Sequence, residues 1–564
     1  MLFAPSVFRR LRLLWYLELF PIVFMVVNAL RCGKGAEALN SLVPVMLLML
    51  AIYSLGFVLF CAVWSRPFDR IAAIVLLTLC AVLNTVDLFT YLNFGDQFRF
   101  AFLYAMATTN AGELSGFFRL HLLRPAILVV VCYGLGIVPV AMTRGKASIA
   151  ALALCGAMLP AVLAPAFRPV PPIDADGYPV RLLPDLVDRI VDDLLEMRFN
   201  AEDIEVANRN IDAENHDRQA TYVLVLGESH AKARSQLYGA ARETEPRLEA
   251  RRKAGELAVF TDAVAPHSMT VYALAKVLTL EAHDSDYTYY DSPNLCDVMK
   301  AAGFRTWWID NQGQMNALGL SYNAIARRAD CTIYTAASWR TLPDGALLKP
   351  FAEALADPAP KKFIVVHLLG SHSDYTRAAP EDFPGFADDD TPGALTPEQE
   401  EHRAVVDAYD KTILYNDLIL DQMMSMLDER GGKAFLLYLS DHGENLYEER
   451  QLTLHSESMP TRATVEVPVL LYLTPAYRKA VGEAETARIF AAASRPIATE
   501  NTFSACLHLA GVTLRGADPA RDWFSDDFTP RPRLTSLVGL DYETLKNTSY
   551  EERPDAPRPA APKP

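Results

Sequence analysis

The chain has 564 residues, enough for two or more domains, and its 51% apolar content with a mean hydropathy of +0.10 excludes a disordered or collagen-like protein. Charge is unevenly spread: residues 1–168 carry 13 Lys/Arg against 6 Asp/Glu, net +7, and the rest carries 40 Lys/Arg against 62 Asp/Glu, net −22. An acidic carboxyl-terminal part lacks the basic footprint that neutralises phosphates, which excludes a nucleic-acid partner.

Five apolar stretches come first, at 13–30, 42–64, 71–92, 122–142 and 149–167, each with about the ~20 residues that a helix needs to cross a bilayer. The first is too long, and too closely followed by the second, to be a cleaved signal peptide. Arg9, Arg10 and Arg12 precede it, Arg66 and Arg70 separate the second from the third, and Arg144 and Lys146 separate the fourth from the fifth. These cationic segments share one side, which reads as cytoplasmic. Five spans then carry everything after residue 168 to the opposite face, the periplasm of a bacterium. Residues 1–168 are therefore expected to be a transmembrane domain in the inner membrane.

The next segment, PVPPIDADGYPVRLLPD at 169–185, is dense in Pro and opens a region of linker and bridging helices at 169–220. From residue 221 to 545 the pattern is α/β. The runs TYVLVLG, FIVVHLLG, AFLLYLS and VPVLLYL read as strands buried on both faces, and they alternate with helical stretches such as 398–428. That alternation predicts a largely parallel, helix-covered sheet. The tail at 546–564 has no core-forming residues and reads as disordered.

Cysteines are sparse. Cys32, Cys61, Cys80, Cys132 and Cys155 lie in or beside the apolar runs, and only Cys296, Cys331 and Cys506 lie beyond them, without CxxC or zinc-finger spacing. In an exported domain Cys296 and Cys331 are a candidate disulfide, with free buried thiols as the alternative.

Candidate chemistry sits just past the strand ends. Glu228 follows TYVLVLG, Asp441 and His442 follow AFLLYLS, and His372 comes shortly after FIVVHLLG. The carboxyl edge of an open α/β sheet is where ligands bind. Carboxylate oxygen and imidazole nitrogen suit zinc, with manganese second, and no thiolate stands at any of these positions. Singly, each reads as a helix cap or a hydrogen-bonded histidine; together, at one kind of edge, they read as a metal site. His455, in QLTLHSES, falls in the loop between two strands. Thr270 stands directly before a helical run in APHSMTVYALAKVLTL, where a hydroxyl can lose its proton to a metal and receive an anionic phosphoryl group. An ordinary helix cap is the competing reading, which propensity alone favours, and Ser268 competes for either role.

These segments together resemble the bacterial phosphoethanolamine transferases of the alkaline phosphatase and sulfatase superfamily, which include lipid A modifying enzymes. The resemblance rests on the five-span amino-terminal part, GESHAKARSQLYG followed by ETEP, HSMTVYALAKVLT, WWIDNQ, HLLGSHSDY, AYDKTILYNDLIL, SDHGENL and the late His455. It implies that Thr270 is the hydroxyl that becomes phosphoethanolamine-modified, with Glu228, Asp441 and His442 as its companions on one zinc. His372 and His455 match histidines that bind a second zinc or the phosphoryl group. Thr109 and Glu113, in TTNAGE, match polar groups near the donor headgroup, whereas the family's Asn four residues before that Thr is replaced by Ala105. The wording GSHSDY, TVYALAKVLT and WWIDNQ is closer to the branch acting on lipopolysaccharide core or other glycans than to the lipid A branch. The resemblance thus implies phosphatidylethanolamine as donor, a lipopolysaccharide or other envelope glycan as acceptor, and the lipid bilayer as a partner. Competing functions are phosphoglycerol transfer or another phosphohydrolase reaction on the same metals, and a catalytically inactive membrane-anchored binding protein. A formylglycine sulfatase would need Cys or Ser followed by x-Pro-x-Arg, and neither SRPIA nor HSMTV fits.

Overall fold

The computed structural model describes residues 204–545, apart from 206, 209, 313–320, 336–341, 373–374, 388–390, 449–452, 454, 456, 458–459 and 538. The expected spans, the linker up to residue 203, Thr109, Glu113 and the tail lie outside the described residues. Among those described, no helix is long and apolar enough to cross a membrane.

Seven strands build the central sheet: β1 (Ala220–Gly227), β2 (Leu257–Val259), β3 (Arg305–Asp310), β4 (Cys331–Tyr334), β5 (Lys361–His367), β6 (Ala434–Ser440) and β7 (Val469–Leu473). Their spatial order is β2-β7-β6-β1-β5-β3-β4. The pairings of β1 with β5 and β6, of β5 with β3, and of β3 with β4 are parallel, whereas β7 runs antiparallel to both β6 and β2. The sheet is thus largely parallel with one reversed strand, VLLYL. That reversal is invisible in the residue pattern, because a strand covered on both faces is a continuous apolar run in either direction.

β1 is buried at every position and alternates between two cores. Val223 and Val225 face the cluster formed by Ile364, Val366, Leu436 and Tyr438 with helices α1 (Pro246–Lys253), α3 (Leu348–Ala356) and α4 (Arg403–Arg430). On the opposite face Tyr222 stacks on Phe435, with ring centroids 4.6 Å apart, and meets Tyr477 edge-on. A fourth helix, α2 (Thr270–Val277), follows the strand pair that joins Asp262–Val264 to Pro496–Ala498.

Helix α4 presents an apolar ridge of Ile419, Leu420, Met423, Met424 and Leu427 to the sheet, and Gly431, at φ 67°, ends it. The same helix buries acids. Asp410 accepts from both Arg234 and Arg242 (Arg242 Nη1 at 2.8 Å), and Asp417 accepts from the amides of Arg247 and Leu248. The 398–428 expectation is met in two pieces: Pro397–Glu401 forms its own turn with a Thr396 capping box, and α4 begins after His402. Cys296, Cys331 and Cys506 are all free thiols, so no disulfide joins Cys296 to Cys331.

Candidate active site

The carboxyl ends of β1, β3, β5 and β6 converge, and each delivers polar side chains to one place. Leaving β1, Glu228 is fully buried, and Ser229 follows with φ 55°, a left-handed conformation that an L-residue adopts only under local constraint. The bend turns the Ser229 amide onto Asp441 Oδ1 at 3.2 Å and its hydroxyl onto Glu228 Oε1 at 2.7 Å. After β5, Gly370 lies at φ 57° against the Glu228 backbone. A Cβ there would stand 2.6 Å from the Glu228 carbonyl oxygen, so only glycine fits. After β6, the Asp441 carboxylate accepts from the His442 amide at 2.7 Å.

Glu228, Asp441 and His442 each offer a donor atom, all within 4.8 Å of one another. His442 Nε2 is 3.4 Å from Glu228 Oε1 and 3.4 Å from Asp441 Oδ2. Its Nδ1 lies 2.8 Å from the Gly443 carbonyl, which assigns a proton to Nδ1 and turns Nε2 towards the two acids.

The electrostatics fit a candidate cation site. Burial pushes the Glu228 carboxyl up, but the His442, His372 and His455 imidazoles and the Ser229 hydroxyl outweigh it and hold the group below the usual carboxylate range. Asp441 goes the other way: burial and the neighbouring Glu228 charge raise it well above that range. Two facing carboxylates without a cation cannot both ionise. Asp441 Oδ2 is buried without a well-formed hydrogen bond, the Thr270 hydroxyl being the donor that acts on this carboxyl and only partly offsets its rise. A divalent ion between these groups supplies the missing partner and removes the repulsion, so the residues present fit a metal of the oxygen and nitrogen class.

Thr270 is the first residue of α2, Met269 being the cap, so the ordinary helix-cap reading of Thr270 does not hold. Its half-buried hydroxyl lies 3.1 Å from Glu228 Oε2 and 3.3 Å from His442 Nε2. Ser268 is fully buried, and its amide points instead to Glu457 Oε2 at 3.2 Å. The half-buried His455 lies tilted against His442, with centroids 4.0 Å apart, and its Nδ1 lies 3.3 Å from Glu444 Oε2. His372, half-buried, belongs to the same electrostatic group, since its imidazole acts on Glu228, Glu444 and His455. Six of the eight predicted residues therefore meet at one edge.

Residue reasoning alone missed several members. Gln312 donates from Nε2 to Glu228 Oε2 at 2.8 Å and to the Leu368 carbonyl at 3.0 Å, fixing the acid from the β3 side. Buried His367 holds Asp310 at 2.8 Å, and Trp308 Nε1 donates to the same carboxylate. Glu444, whose carboxyl burial raises to about 8, faces His455. All lie inside the segments WWIDNQ, HLLGSHSDY and SDHGENL; the signal for them was the segment, not a spacing rule.

With this geometry established, comparison with known proteins is informative. The Sulfatase family model matches residues 220–512. The chain is 33% identical over 359 residues to the phosphoethanolamine transferase EptC of Escherichia coli strain K12, and equally so to CptA of Salmonella typhimurium; each match covers 61% of this chain and 59% of the relative. The chain thus spans less than two thirds of these relatives' own length. Among solved structures it is similar to the C-terminal periplasmic domain of EcEptC from Escherichia coli, free and in complex with Zn, at 32% identity, covering 60% of this chain and 96% of that one with a TM-score of 0.54. It shares its fold with the integral membrane protein lipooligosaccharide phosphoethanolamine transferase A from Neisseria meningitidis, at 19% identity, 92% and 98% coverage and a TM-score of 0.66.

Proposed function

Because the chain belongs to the sulfatase family, we propose that it is a zinc-dependent phosphoethanolamine transferase that moves phosphoethanolamine from phosphatidylethanolamine to an envelope glycan, with Thr270 as the covalent acceptor. The observation that carries this reading is the Thr270 hydroxyl, 3.1 and 3.3 Å from two members of a buried three-residue metal cluster. Family membership does not bring sulfate-ester chemistry with it, since the hydroxyl beside the metal cluster is that of Thr270, in HSMTV, and not a Cys or Ser followed by x-Pro-x-Arg; SMPTR at 458–462 has that spacing but is a different segment. The phosphoethanolamine transferase names of the 33% identical relatives, and the Zn complex of the similar periplasmic domain, support this choice of group and metal.

Glu228, Asp441 and His442 would hold the ion, which supplies acidity to the Thr270 hydroxyl and neutralises phosphoryl charge. Thr270 Oγ1, its proton released to solvent on ionisation and taken up again when Thr270 is restored, attacks phosphorus, the Oγ1–P bond forms, and the P–O bond to diacylglycerol breaks. His372 or His455 supplies the proton that the leaving diacylglycerol oxygen takes up. In the second half the acceptor's oxygen attacks the phosphothreonine, its proton returns to the same histidine, and Thr270 is restored. Two half-reactions through one covalent intermediate give ping-pong kinetics. The acceptor is lipopolysaccharide core, lipid A or another envelope glycan. The chain is assigned to the inner membrane, with residues 1–168 as its membrane domain and 221–545 in the periplasm; Thr109 and Glu113 are assigned to the donor headgroup.

The test is mass spectrometry of the protein after incubation with phosphatidylethanolamine. A phosphoethanolamine increment should fall on Thr270, within PHSMTVYALAK, and vanish in Thr270→Ala while Ser268→Ala retains it. An adduct that persists in Thr270→Ala overturns the nucleophile, and a phosphoglycerol increment overturns the donor.

A further inference from the structure

Helix α2 begins with no side-chain cap on its Met269 position, so what fixes the turn before Thr270 must come from elsewhere. Glu457 supplies it. Both oxygens of this buried carboxylate are used on consecutive residues of that turn: His267 Nδ1 donates to Oε1 at 2.7 Å, and the Ser268 amide donates to Oε2 at 3.2 Å. Glu457 is two residues beyond His455, whose imidazole packs at 4.0 Å on His442. One side chain therefore joins the stretch that carries the proposed proton donor to the turn that carries the proposed nucleophile. His267 is braced in turn. Its ring stacks on His283 at 5.0 Å, and His283 is held by Glu500 at 2.9 Å and by the Ser536 carbonyl at 3.0 Å, while the Ser536 amide donates to the Pro266 carbonyl.

We infer that Glu457 is a positioning residue that sets the separation between Thr270 and His455 by clamping His267 and the Ser268 amide. This rests on the roles proposed above for Thr270 and His455. Two hydrogen bonds that one carboxylate accepts from adjacent donors define both distance and orientation, as a bidentate contact does. Loosening such a contact costs rate rather than binding, because a displacement of about 1 Å at a reacting group is worth up to roughly 10²-fold.

The test uses the full-length protein in detergent with zinc. Glu457→Gln, close in shape, keeps an oxygen for one donor and loses the other. Amide hydrogen exchange should rise in peptides covering 266–272 and 453–460 together. The kcat with phosphatidylethanolamine should fall by roughly 10- to 100-fold at nearly constant KM. With a p-nitrophenyl ester of phosphoethanolamine, whose leaving group needs no proton, the loss should shrink to below about threefold. His267→Gln should reproduce a part of the effect, and the double variant should lose no more than Glu457→Gln alone, because both act on one contact. Unchanged exchange in the two peptides, equal losses with both donors, or additive losses in the double variant overturn the inference. If Thr270→Ala keeps its adduct, the functional reading fails while the exchange result still decides the clamp.

Discussion

The buried acids of this domain differ sharply in what they do. Asp441 and Glu228 face each other in a cluster that could hold a cation, while Glu245, outside that cluster, is buried against neutral donors. Burial raises its carboxyl to about 7, opposed by the Ser235 hydroxyl and the Leu237 amide. His230 lies 3.8 Å away, but burial lowers that imidazole to about 3, so the two form a neutral contact rather than an ion pair. A carboxyl with a raised native pKa binds its proton more tightly when folded. Its contribution is complete below about pH 4.5 and is lost as pH rises to about 7. Glu245→Gln should therefore gain on the unmodified protein by up to about 3 kcal/mol between pH 4.5 and 8. Thermal melts of both proteins at pH 5 and 8 check this, and a difference that ignores pH would refute it.

At the scale of elements, the site depends on strand-to-loop transitions that leave no room for alternatives. Gly370 turns the chain after β5 at φ 57°, with the Glu228 backbone where its side chain would be. Gly370→Ala should destabilise the domain by roughly 2–3 kcal/mol through the left-handed conformation and the contact. Because the contact presses on Glu228, bound zinc and adduct formation should fall too, as measured by metal analysis beside the melt. A variant that loses stability but keeps full zinc would show that Glu228 is anchored independently, by Ser229 and Gln312. Helix α4 illustrates the complementary case: its acids Asp410 and Asp417 are used up on Arg234, Arg242, Arg247 and the α1 amides, so they hold the frame and leave the chemistry to the strand ends.

At the scale of the whole molecule, the proposed reaction needs the catalytic domain on the face where the glycan acceptor is displayed and within reach of a membrane lipid. The five spans proposed for residues 1–168, after an Arg-rich amino terminus proposed to be cytoplasmic, lead to the expectation of a periplasmic carboxyl terminus. Alkaline phosphatase fused after Pro564 should be active in cells, and a cytoplasm-dependent fluorescent reporter at the same point should be dark. The reverse pattern would remove both the topology and the access to acceptor.

Much of this protein was legible in its residues. TYVLVLG, FIVVHLLG and AFLLYLS announced buried strands because β-branched and aromatic residues in short unbroken runs have no other economical burial, and the acids directly after them marked the ligand edge. Glu228, Asp441 and His442 could be named because strand ends are local features and their residue types are chemically restrictive, whereas the role expected of Thr270 came from the family resemblance, since before a helical run its residue type alone favours a cap. What local sequence does not contain is pairing across space. Nothing in VLLYL says that it runs against its neighbours, nor does a separation of 35 positions between Cys296 and Cys331 say that both thiols stay free. The partners that finish the site, Gln312 on Glu228 and Glu457 on His267, are 84 and 190 residues away in the chain. Periodicity and propensity describe a residue's own segment, whereas a hydrogen bond between distant segments exists only once the sheet order has brought their ends together, and that was decided by the tertiary structure.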